Sequence, residues 1–135
     1  TRLFTVTALD EAAALHRRVY TSHPWDYPLQ GTKPLDRDAW YAACVAARRP
    51  FVANTPAEFA DHFFDHALIV SLGLGSCANL PVVAGGIVHG TVNLLAEAEH
   101  FTPERLAAYQ ALVTRDEAAI AAALVDSGQA EGASA

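Results

Sequence analysis

The chain has 135 residues, 52% hydrophobic and 18% charged, with a net charge of −6. One domain of this size buries a core without covalent staples, and the acidic balance argues against a general nucleic-acid or anionic-membrane surface. No apolar run is long enough to span a bilayer and no basic-then-apolar signal segment is seen. Two cysteines, Cys44 and Cys77, make no disulfide framework, so a reducing cytoplasm is expected.

Taken in chain order, residues 3–7 alternate and are rich in strand formers, which predicts a first strand. Residues 10–14 have helical propensity, but the run into Val19-Tyr20-Thr21 predicts a turn and a second strand instead. Residues 23–34 hold three prolines, a glycine, Trp25 and Tyr27, and read as a loop. Residues 36–49 predict a helix with Trp40, Cys44 and Ala47 on one face. A short buried strand follows at 50–54. Thr55-Pro56-Ala57-Glu58 then predicts a helix start, with Thr55 capping and Glu58 completing a capping box. That helix presents Phe59, Phe63 and Phe64. A second short helix, about 65–72, is expected to end at Gly73 or Gly75.

The clearest local signal is Gly85-Gly86 between two β-branched runs, a two-residue hairpin turn that pairs Ala84 with Ile87. Alternation then puts Val88, Gly90, Val92 and Leu94 on a dry face. Ile87, His89, Thr91, Asn93 and Leu95 share a mixed one. Phe101-Thr102-Pro103-Glu104 predicts another helix start, with Thr102 as cap and Pro103 in the first turn. The helix is expected from 103 to about 124, with Leu106, Tyr109, Gln110, Val113, Glu117 and Ile120 near helical spacing. Residues 1–126 read as a single domain and 127–135 as a flexible tail.

Several of these segments together resemble a GAF domain, a small-molecule sensor fold. The resembling residues are Leu3 to Thr7, Arg18 to Ser22 and Pro50 to Asn54. The most specific are Gly75-Ser76-Cys77-Ala78-Asn79-Leu80-Pro81-Val82, Gly85-Gly86, Gly90-Thr91-Val92-Asn93-Leu94 and Phe101-Thr102. The resemblance covers nearly the whole chain. Many GAF domains open with a helix that packs beside the terminal one, and no such helix is seen ahead of Leu3.

The resemblance implies an α+β fold: a central antiparallel sheet of five or six strands with helices on both faces. It also implies a ligand cavity between the sheet and the helices and loops inserted between its strands. On this chain the cavity would be bounded by Tyr20, Trp25, Tyr27, Trp40, Phe63, Leu68, Leu72, Cys77, Asn79, Thr91 and Asn93. A mostly apolar wall with a few convergent polar groups suits a small molecule.

The implied function is a small-molecule-binding sensory or regulatory module without catalysis of its own, its ligand unknown. The alternative is a structural or dimerisation module whose cavity is filled by side chains. A thiol-dependent reductase is the weaker alternative, because neither cysteine has a placed base or resolving partner. No bilin or cyclic-nucleotide motif is recognisable, and no cofactor is expected. A homodimer through the terminal helix is left open; neither nucleic acid nor membrane is expected as a partner.

Individual residues also carry bland readings. Asn79, Thr91 and Asn93 either bind a ligand or satisfy nearby backbone, since buried polar groups must be paired. Replacing Asn93 by Ala separates the two: it weakens binding alone if Asn93 faces a cavity, and costs stability if its role is structural. Cys77 reads as a small buried residue, as does Cys44. His62 and His66 have a zinc-compatible i, i+4 spacing, but a third ligand would require Asp61 or Asp65 to converge on them. Phe63-Phe64 between them reads as a helix edge against the core, so no metal is expected. His89 reads as an ordinary half-buried histidine. Gly73-Leu74-Gly75 is not followed by the lysine of a phosphate loop.

Overall fold

Alternating apolar and hydroxyl side chains make Leu3–Asp10 a strand, β1, with Leu3 and Thr5 buried on the same face. The structure is a computed structural model that describes residues 2–10, 13–29, 33–34, 39–59 and 66–134. The Ala13 N–H donates to Asp10 Oδ1 at 3.1 Å, and Ala14 takes a positive φ, turning the chain back into β2, Leu15–Thr21. Asp10 thus competes with the local helical propensity by offering the backbone a turn.

The two-residue strand β3, Lys33–Pro34, comes next. Helix α1, Ala39–Tyr41, continues as a π-helical segment, Ala42–Ala46. Its Ala42 carbonyl accepts from the Ala47 N–H at 3.0 Å, five residues on. This wider turn changes the facing that a regular helix would give. Cys44 and Val45 are buried, while Ala47, expected beside Cys44, is exposed.

Strand β4 is Phe51–Ala53 and helix α2 is Pro56–Phe59. Thr55 Oγ1 accepts from the Glu58 N–H at 3.4 Å, but Glu58 Oε2 accepts from Asn54 N at 3.0 Å, one residue earlier than a standard capping box. Helix α3, His66–Ser71, ends as expected at Gly73. The Gly73 N–H donates to Val70 O and the Leu74 N–H to Ile69 O, while Ile69 and Leu74 meet in one apolar cluster. That is the Schellman arrangement with its hydrophobic contact. His62, Phe63 and Phe64 lie outside the described residues.

Strands β5, Ser76–Ala84, and β6, Ile87–Ala96, form the hairpin. Gly85 and Gly86 have φ of +60° and +75°, and Ala84 pairs with Ile87 as the turn length dictates. One register shift follows: Val82 pairs with Gly90 but Val83 with Val88, leaving His89 as the extra residue of a bulge. Strict alternation therefore breaks at His89, and Val88 falls in neither core cluster although it is buried. Glu117 accepts a hydrogen bond from the Val83 N–H beside this bulge.

The six strands are all antiparallel, in the order β3-β2-β1-β6-β5-β4. The first strand therefore sits in the middle, against β6. On one face, Ala78, Leu80, Val82, Leu94, Ala96 and Phe101 pack against Val113, Ala121 and Leu124 of α4, Pro103–Ser134. On the other, Leu3, Ala53, Cys77 and Leu95 pack with Tyr27, Ile69 and Leu74. Helices thus cover both faces.

Helix α4 starts where expected. Thr102 Oγ1 accepts from the Arg105 N–H at 3.3 Å, and Thr102 O accepts from the Leu106 N–H at 2.8 Å. It runs to Ser134, well past the expected end near residue 124; no proline interrupts it, and alanines offset the weak propensity of Gly128 and Gly132. Leu124 is the last buried side chain described on it. Thr102→Ala is expected to cost about 1 kcal/mol, read as a lower urea midpoint with an unchanged slope.

Candidate functional site

The sheet face turned away from α4 carries a line of short polar side chains across three strands. Direct pairing fixes their shared side: Thr5 lies opposite Asn93, Thr7 opposite Thr91, and Asn93 opposite Asn79. Asn93 is the hub. Its Nδ2 donates to Thr5 Oγ1 at 3.0 Å and to Thr7 Oγ1 at 2.9 Å. Its Oδ1 accepts from Asn79 Nδ2 and from Thr91 Oγ1, both at 2.8 Å. Both donor hydrogens and both acceptor lone pairs of this amide are used.

Asn79 is not so complete. It is only 5% exposed, yet its Oδ1 is buried without a hydrogen-bond partner. Most buried polar atoms are paired, so an orphaned one calls for an explanation. Around it lie small and soft groups. Phe51 is its cross-strand partner on β4, and Cys77 stands two residues earlier on the same face. The buried Cys44 thiol donates to the Asn79 backbone carbonyl at 3.4 Å.

Burial pushes the Cys77 thiol up to about 12, against a weaker lowering by a hydrogen bond to the Ala53 backbone, with the charge of Glu58 and the neighbouring Cys44 raising it further. The group stays a neutral thiol at physiological pH, so neither nucleophilic nor thiolate chemistry is open to it. Labelling of Cys77 by iodoacetamide at pH 8 is expected to be about a thousandfold slower in the folded chain than in the unfolded one. Because the folded value is the higher, this thiol's contribution to stability is complete below about pH 9 and is lost as pH rises toward 12.

Tyr27 reaches the site from the loop after β2. Its carbonyl accepts from Thr21 Oγ1 at 2.6 Å, and the Arg18 guanidinium lies 3.8 Å above its ring. Arg18 also donates to Pro28 O at 2.6 Å, which fixes the same loop.

The structure brings Tyr27, Leu72, Cys77, Asn79, Thr91 and Asn93 to this face. Trp40 is half-buried with its ring 6.2 Å from that of His16. Leu68 is partly exposed on α3. Two aromatics go elsewhere. Tyr20 pairs with Val6 and stacks on Phe4 at 5.1 Å, on the α4 side of the sheet, because the bulge at Val19 fixes its facing there. Trp25 is 94% exposed at the tip of its turn and closes nothing. Phe63 lies outside the described residues.

Thr5, Thr7 and Cys44 also lie at this site; sequence marks Cys44 only as a core residue and does not single out Thr5 or Thr7. Hydroxyls alternating on β1 were visible, but their meaning depends on β1 pairing with β6 almost ninety residues away. His89 is half-buried, with Nε2 3.3 Å from Ala84 O. Among the described residues, no three His, Cys, Asp or Glu side chains gather as a metal site. No helix among them is long and apolar enough to cross a membrane.

The family model for the GAF domain matches residues 2–120. No curated protein sequence matches significantly. Among solved structures, the chain is similar to the GAF domain of a two-component sensor histidine kinase from Bacillus halodurans. The TM-score is 0.68 at 13% identity, covering 92% of this chain and 82% of that one. It is also similar to the GAF domain/HD domain protein from Geobacter sulfurreducens. There the TM-score is 0.67 at 16% identity, with 96% of this chain and 82% of the other covered.

Proposed function

Because the chain belongs to the GAF domain family, we propose that it is a sensory or regulatory module that binds a small molecule on the Asn79–Asn93 face and catalyses nothing itself. The observation that carries this reading is the buried Asn79 amide, half used by Asn93 and half unpaired. A polar edge held in place by a fully bonded neighbour, among apolar and thiol groups, is the kind of fixed anchor that a binding site needs. The raised Cys77 thiol supports the absence of catalysis.

Occupancy would reach the rest of a signalling protein through α4, which packs on the opposite face of the same strands. A ligand shifts such a module only by binding one of its conformations better than another. A homodimer through α4 belongs to this reading, supported by the 52% exposed Leu112 on that helix. Sedimentation equilibrium checks it. A cytoplasmic setting is part of the same proposal, supported by two buried cysteines that form no disulfide.

A filled, purely structural module is favoured by one observation, the complete bonding of Asn93 within the sheet. Native mass spectrometry of the protein purified from cells separates the two. A reproducible added mass, lost on denaturation, is expected. An intact mass equal to the denatured mass, even after rapid purification at low temperature, turns the reading toward the structural module.

A further inference from the structure

We propose that the molecule held at this site is uncharged and presents an amide-type edge, an adjacent carbonyl and N–H, to the side chain of Asn79. This rests on the binding-module reading above. Asn79 Nδ2 is committed to Asn93 by one hydrogen, leaving its second N–H and the unpartnered Oδ1 to form a free donor–acceptor edge. The complement of such an edge is another amide edge, which accepts from the N–H and donates to the oxygen. Flipping both amides preserves every bond around Asn93, since the hydroxyls of Thr5, Thr7 and Thr91 donate or accept equally well. It still leaves an unpaired edge on Asn79. A ligand amide carries both functions and answers either arrangement.

The absence of charge follows from the surroundings. The hub and its partners, Thr5, Thr7, Asn79, Thr91 and Asn93, carry no formal charge, and the neighbouring Cys44 and Cys77 are buried and form no disulfide. Arg18 of β2, which reaches the Tyr27 loop, is engaged by the Tyr27 ring and the Pro28 carbonyl. An anion brought here would be desolvated within reach of Glu58, whose charge already acts on Cys77, and that cost works against it.

The test uses matched probes of two sizes: acetamide and benzamide against acetate and benzoate. Each is titrated into the full chain while the Asn79 and Asn93 side-chain amide resonances are followed by nitrogen-15 NMR. Saturable movement of the Asn79 resonances by an amide is expected, with the matching carboxylate about tenfold weaker or more. The Asn93 resonances, bonded to Asn79, should move with them, and Asn79→Leu should abolish that Asn93 movement. Asn79→Ser, which keeps a hydroxyl for Asn93 but removes the free edge, should do the same and covers the case in which the leucine variant does not fold.

Equal or tighter binding of the carboxylates overturns the proposal, as does an Asn79 resonance that no probe moves. The binding-module reading fails separately. If Asn79 is silent while cell-purified protein retains an added mass, the anchor is wrong and the module stands. If the protein also retains nothing, both fall.

Discussion

Gly90→Val is expected to unfold the chain or leave it with a severely lowered melting temperature. A Cβ at this position would lie 2.0 Å from the Thr7 carbonyl oxygen and 3.0 Å from Leu124 Cδ1. The first of these atoms is backbone of β1, the strand on which β6 is registered through six consecutive pairs, so it cannot yield without opening the centre of the sheet. The second belongs to α4, whose core lies on the same face. A forced separation of this kind exceeds the usual 0.5–3 kcal/mol of a point mutation, and we expect a loss of about 4 kcal/mol or more. Against a typical domain stability of about 5–15 kcal/mol, that removes much of the fold. Urea unfolding followed by circular dichroism checks it. A wild-type midpoint for Gly90→Val would mean that β1 does not approach β6 as described.

Asn93→Ala is expected to cost about 3 kcal/mol, the second-largest effect. The substitution removes four hydrogen bonds at once and leaves Asn79, Thr5, Thr7 and Thr91 to find other partners. Thr5 and Thr91 are buried at 2% and 1% exposure, so water replaces the lost bonds poorly there. The hydroxyls can rotate toward one another, which keeps the cost below the sum of four separate orphans. The sequence left Asn93 open between ligand contact and structural pairing; its complete bonding makes it the support on which Asn79 is held. Loss of less than about 0.5 kcal/mol, measured by the same urea titration, would show that the network is not formed.

Much of the fold was legible from local chemistry. Gly85-Gly86 specified a hairpin and its register, Thr102-Pro103 specified a helix start, and Gly73 specified a helix end. Each signal involves groups within a few residues of one another. The faces of β6 were also readable near Gly90, Val92 and Asn93, because a pleated strand alternates. They stopped being readable at His89, where an extra residue changes the phase.

The site was less legible for the same reason in reverse. Asn79, Thr91 and Asn93 could be marked as buried polar residues, but Thr5 and Thr7 complete the network only through the β1–β6 pairing, which no local pattern encodes. Aromatic residues misled in another way. Trp25 and Tyr20 have the composition of pocket walls, yet one stands on a turn in solvent and the other faces the α4 side. Bulk and aromaticity say that a residue wants burial; they do not say which side of a twisted, bulged sheet provides it. Helix α4 runs beyond the end expected near residue 124, into residues 127–134 whose small, polar composition reads as a tail, because no proline interrupts it.

The central claim is that the free edge of Asn79 is a ligand anchor. A crystal structure at atomic resolution, from protein purified directly out of cells, tests it most directly. The account predicts a bound molecule, larger than water, within hydrogen-bonding distance of the Asn79 amide edge, with Asn93 bonded to Thr5, Thr7 and Thr91 as described. An Asn79 edge sealed by one of the chain's own side chains, in the same well-ordered network, would contradict it.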